Sequence, residues 1–110
     1  MNNSIIYSAV FVRRAKIFKK KHFSLVEDLY ELEQNLLDNP LQGNDLGAGL
    51  YKIRLAVKSK GKGKSGGFRI ITYLVSNDPE GTVINMLTIY DKSEESNINI
   101  KELQKIIKAL

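Results

Sequence analysis

The sequence predicts an α+β fold in the order β-α-α-β-β-β-α, and three observations carry that expectation. Runs rich in β-branched and aromatic residues at 50–57, 68–75 and 82–90 follow one another across short or glycine-rich connections, as in an antiparallel meander. Two helical stretches precede them, and a last amphipathic stretch closes the chain. Helices segregated against one face of such a sheet define the class. At 110 residues the chain fits one domain, 1–110, able to bury a modest core without staples.

Residues 5–12 are rich in β-branched and aromatic types and read as the first strand. Residues 13–21 read as a basic helix, with Ile17 and Phe18 as apolar anchors among Arg13, Arg14, Lys16, Lys19, Lys20 and Lys21. Ser24 and Glu27 have the spacing of a capping box, and Leu25, Leu29, Leu32 and Leu36 follow at helical spacing. Asn39-Pro40 stops that helix, because the residue before proline avoids the helical region. The two helices form a hairpin that turns near His22.

Residues 42–49 read as a loop with three glycines. In the next strand Tyr51, Ile53, Leu55 and Val57 point one way, and Lys52, Arg54 and Ala56 the other. A lysine–glycine–serine loop, 58–67, leads to the strand that begins at Phe68. Residues 76–81 are a turn cluster before the last strand. Asn99 and Glu102 suggest a second capping box, with Ile98 and Leu103 as a hydrophobic staple. Leu103, Ile106, Ile107 and Leu110 give the final helix its apolar face.

Composition narrows the chemistry. With no cysteine and a single histidine, disulfides, thiolate zinc sites and multi-histidine metal sites are excluded. No signal-peptide layout is present, and the apolar stretch 5–12 is too short to span a bilayer, so a cytoplasmic protein is expected. The net charge of +5 is unevenly spread. No acid precedes Glu27, and none lies between Asp45 and Asp78, a stretch that holds Lys52, Arg54, Lys58, Lys60, Lys62, Lys64 and Arg69. Such a face most often meets a polyphosphate. A membrane surface is disfavoured, because the densest lysines lie in a glycine-rich loop and not on an amphipathic helix.

Four places can carry chemistry. Lys52 and Arg54, two residues apart on a strand, share a face at roughly 7 Å, a separation that suits clamping a phosphodiester. Taken alone, a solvated sheet face explains them better. Arg69 interrupts an apolar strand, so its guanidinium needs water or an anion. The loop lysines Lys58, Lys60, Lys62 and Lys64 can track a nucleic-acid backbone. Gly63-Lys64-Ser65 is not a P-loop, because Lys58 stands where that motif needs glycine and a strand follows where it needs a helix. At the end of the last strand, Tyr90 can stack on a base or position a proton, and Lys92 can bind phosphate. His22 reads as a surface turn residue.

The stretches Leu50-Tyr-Lys-Ile-Arg-Leu, Gly67-Phe-Arg-Ile-Ile-Thr-Tyr and Leu87-Thr-Ile-Tyr-Asp-Lys-Ser-Glu, joined by a basic loop, resemble the RelE/ParE superfamily of type II toxin–antitoxin systems. The long loop looks most like HigB-type members. The resemblance implies a curved antiparallel sheet with helices on its convex side. It implies a ribosome-dependent endoribonuclease that inhibits translation by cutting mRNA without a metal or other cofactor, through attack of the 2′-OH on the adjacent phosphate. Lys52 and Arg54 match the family's basic pair, Arg69 the arginine after Gly-aromatic, and Lys92 a basic residue after the last strand. Lys52 is the candidate base, and Tyr90 or Lys92 the candidate donor to the leaving oxygen. Where some RelE-like members carry a C-terminal tyrosine, this chain has Ile98, and the histidines of some HigB-like members have no counterpart. The implied partners are mRNA, the ribosome and a cognate antitoxin, often a helix-turn-helix protein, that masks the basic cleft through the exposed sheet face or last helix. Rival expectations are a ParE-type gyrase poison and a non-catalytic RNA-binding module or inactive relic.

Overall fold

A computed structural model describes residues 2–60, 67–76, 80–94 and 98–110. Its elements run β1 (Ser4–Tyr7), α1 (Ala9–Lys21), α2 (Leu25–Asp38), β2 (Asn44–Gly47), β3 (Leu50–Leu55), a 3-10 turn at Lys58–Lys60, β4 (Phe68–Ser76), β5 (Thr82–Asp91) and α3 (Ile100–Lys108). The strands form one sheet in the order β1-β5-β4-β3-β2. The expected α+β class and the β3-β4-β5 meander are present. The sheet is mixed, because β1 pairs parallel to β5. Among the described residues no helix is long and apolar enough to cross a membrane.

The first strand is shorter than its composition suggests. Ser8 ends it by capping α1: its hydroxyl accepts from the Phe11 amide at 3.0 Å and donates to the Leu87 carbonyl at 2.6 Å. Val10, Phe11 and Val12, expected in the strand, are therefore helical. Phe11, Ala15 and Phe18 then recur at helical spacing and are buried, whereas Ile17, expected as an anchor, faces solvent. Ser24 does not form the expected box with Glu27. It precedes α2 in a helical conformation without a side-chain cap bond, and its hydroxyl is used by Asp28 and Ser59 instead. The α2 leucines at 25, 29, 32 and 36 are buried, and the helix ends at Asp38 before Asn39-Pro40.

The loop expected at 42–49 contains β2, which pairs with the start of β3 around a turn at Gly47-Ala48-Gly49. All three turn residues have positive φ, which explains the glycines on either side of Ala48.

Two cores result. The hairpin side joins Phe11, Phe18 and the α2 leucines to Ile53, Leu55, Phe68, Ile70, Met86 and Ile89. The opposite side joins Leu50, Ile71, Leu87 and Tyr90 to Leu103 of α3. The helices are therefore not all on one face: α3 covers part of the face that the hairpin leaves open. Asn99 caps α3 through the Lys101 amide at 2.8 Å, and Ile98 packs in the same cluster as Leu103.

Candidate functional site

Strand alternation and register build the site. Ile53 and Leu55 enter the hairpin-side core, so Lys52 and Arg54 face the other way, as expected. Arg54 of β3 is paired with Arg69 of β4, and Arg69 with Tyr90 of β5. These three residues form one row across three adjacent strands, with Cα atoms roughly 4.5–5.5 Å apart at each step. A second row runs Asn44, Lys52, Ile71, Thr88 on the same face. Lys52, Arg54, Arg69 and Tyr90 are thus brought together by the sheet.

Their surroundings differ. Arg54 is exposed and Lys52 half-buried. Arg69 keeps only 5% of its surface, and its Nη1 donates to the Phe68 carbonyl at 3.2 Å. The expectation of a guanidinium in water or against an anion gives way to a nearly buried one that bonds a carbonyl of its own strand. Tyr90 is wholly buried in the α3 cluster. Lys92 lies one residue beyond β5, exposed, with its amide bonded to the Gly67 carbonyl. It stands at the same end of the sheet as the Arg54 row. Asp91 is turned to the opposite face, where its Oδ1 accepts from the Ser93 amide and hydroxyl.

Lys58 does not join these residues. Lys58 pairs with Glu31 of α2 at 3.4 Å, on the hairpin side, with both side chains about two-thirds exposed. Only the backbone of Lys60 is described, and Lys62 and Lys64 lie outside the described residues. His22 closes the hairpin turn and packs edge-on against the Phe68 ring.

Two neighbours were not expected. Gln42 and Asn44 line a shallow hollow of about 370 Å3 together with Lys52 and Arg54. Their amides flank the cation pair because β2 brings them there. The recurring glycines at 43, 47 and 49 were the signal that a tight hairpin lay in that segment. Thr88, at the end of the Lys52 row, is buried with no hydrogen-bond partner for its hydroxyl among the described residues. It adjoins a bulge in which Leu87 is the extra residue on β5.

A larger hollow among the described residues, about 700 Å3, is elsewhere. It lies between α1 and α2 and is lined mainly by apolar residues such as Phe11, Val12, Val26 and Tyr30. It holds none of the cations of the rows, so size alone does not mark the chemistry. At its end Tyr7 donates to Glu33, and burial, then that bond and the carboxylate's charge, push the Tyr7 hydroxyl well above the usual tyrosine range.

Lys52 and Arg54 border the shallow hollow beside Gln42 and Asn44, and Arg69 stands next to Arg54 in register. A family model described as RelE toxin of RelE / RelB toxin-antitoxin system matches residues 4–110. That span begins at the first residue of β1 and takes in every described element.

Proposed function

This chain belongs to the RelE toxin family of RelE / RelB toxin-antitoxin systems, and from that premise we propose that it is a toxin that cuts mRNA on the ribosome. Family membership implies an antitoxin partner. The observation that supports a nuclease is the row of Arg54, Arg69 and Tyr90 with Lys52 beside it on the face the hairpin leaves open. RNA carries its own nucleophile, so a metal-independent reaction needs alignment, charge stabilisation and two proton transfers.

In this reading the 2′-oxygen attacks the adjacent phosphorus while Lys52, in its neutral form, takes the 2′-OH proton. Arg54 and Arg69 stabilise the added negative charge on the phosphorane. The bond to the 5′-oxygen breaks, and that oxygen takes a proton from Lys92. The products are a 2′,3′-cyclic phosphate and a 5′-hydroxyl. Tyr90 backs the row with its buried ring, and direct proton transfer from its hydroxyl would require α3 to uncover it. Lys58, Lys60, Lys62 and Lys64 are proposed to add backbone contacts to RNA, and the cognate antitoxin to cover the open sheet face or α3.

Programmed ribosomes carrying a defined mRNA provide the test, with fragments mapped by primer extension. The wild-type chain is expected to cut, and Arg54→Ala or Arg69→Ala to lose roughly 100- to 1000-fold. A 2′-deoxy substitution at the cut nucleotide is expected to abolish cleavage. Cleavage that survives both the Arg69 variant and the 2′-deoxy message would refute the mechanism.

A further inference from the structure

Strand β2 flanks β3 only as far as Lys52, which pairs with Asn44. From Ile53 to Leu55 the outer edge of β3 has no strand beside it among the described residues. Arg54, the exposed cation of the row, lies on this half-flanked run.

A cluster of buried polar groups holds the far end. Asp28 of α2 is 3% exposed, on the same helix face as Leu25, Leu29 and Leu32. Its Oδ2 accepts from the Ser24 hydroxyl at 2.8 Å and from the Lys58 amide at 3.2 Å. The Ser59 amide donates to the Ser24 hydroxyl at 2.8 Å, and the Ser24 amide to the Ser59 hydroxyl at 3.3 Å. The two hydroxyls are 2.9 Å apart. Between this clasp and Arg54, Leu55 and Val57 are buried in the hairpin-side core. A carboxylate on a leucine face is costly unless its bonds offset the desolvation, and here those bonds go to the chain leaving β3.

We propose that Asp28 and Ser24 are positioning residues for the candidate site: they hold the chain where β2 no longer flanks it and so aim Arg54 across Arg69. The consequence for cleavage rests on the nuclease reading; the hold on the backbone does not.

Cleavage is measured for the wild type, Asp28→Ala, Asp28→Asn, Arg54→Ala and the Asp28→Ala/Arg54→Ala double variant. Asp28→Ala is expected to lower kcat between about tenfold and a hundredfold with KM nearly unchanged. Asp28→Asn, whose Oδ1 still accepts, recovers most of the loss. Because Asp28 acts through Arg54, Asp28→Ala causes no further loss in the Arg54→Ala background. An equal loss in both backgrounds overturns the proposal and leaves the nuclease reading standing. Amide hydrogen exchange reads the hold without cleavage: amides 55–59 exchange at least about tenfold faster in Asp28→Ala, and those of 69–72 do not change. Unchanged exchange at 55–59 overturns the proposal whether or not the chain cuts RNA. Should Asp28→Ala fail to fold, Ser24→Ala removes the shared hydroxyl and serves in both measurements.

Discussion

Arg54 and Arg69 occupy directly opposed positions on β3 and β4, one exposed and the other nearly buried. Like charges in that relationship destabilise a sheet by roughly 0.2–1 kcal/mol. Replacing Arg54 by threonine, a good strand residue, is therefore expected to raise the melting temperature by roughly 1–5 °C while abolishing most cleavage. Thermal unfolding followed by circular dichroism, beside the ribosome assay, checks the trade. A variant that loses stability and activity together would mean that Arg54 is structural.

Tyr90 separates support from chemistry. Its ring is fully buried beneath α3. Tyr90→Ala is expected to cost about 3–5 kcal/mol in urea unfolding. Tyr90→Phe keeps the ring and is expected to leave cleavage within about threefold of wild type, since general acid or base groups contribute about 100-fold or more. Lys92→Ala is expected to lose that larger factor.

Gly43 controls the backbone next to Lys52. Its φ is +92°, and a Cβ there would lie 2.4 Å from the Lys52 carbonyl oxygen and 2.9 Å from the Ile53 side chain. Gly43→Ala therefore combines backbone strain with a clash against the strand that carries the cation pair. A loss of about 2 kcal/mol or more is expected in denaturant unfolding, together with reduced cleavage. An unchanged unfolding midpoint would show that the β2–β3 hairpin can be displaced freely.

Tyr7 gives a pH signature far from the site. Burial and Glu33 raise its hydroxyl above the ordinary tyrosine value, so the folded chain holds that proton more tightly than the unfolded chain. The sign follows from linkage: the contribution is fully present below about pH 10, where the unfolded tyrosine keeps its proton, and is lost as pH rises beyond that. Urea midpoints between pH 9 and 11 are expected to decline, and the decline to be shallower in Tyr7→Phe.

The shared face of Lys52 and Arg54 was legible because strand alternation is local. Lys52 and Arg54 had to share a face once Ile53 and Leu55 were core, and the registers then placed Arg69 and Tyr90 alongside. What eluded the sequence was non-local. Residues 5–12 have strand composition throughout, yet Ser8 bonds to Leu87, far along the chain, and converts half of them to helix. Ser24 and Glu27 have box spacing, yet Ser59 and Asp28 compete for the hydroxyl and win it. Lys58 reads as one of a row of loop cations, yet it pairs with Glu31 of α2 on the other side of the sheet.

By itself, the sequence determined the α+β class, the hairpin, the central meander, the final helix and the face that carries the cations. Those follow from periodicity, turn residues and charge, which act over a few residues. Tertiary structure alone decided that β1 lies parallel to β5, that β2 exists, that α3 crosses to the cation face and that Arg69 and Tyr90 are buried there. Each of those outcomes depends on which distant surfaces meet, because pairing and burial free energies arise only once the chain has closed on itself.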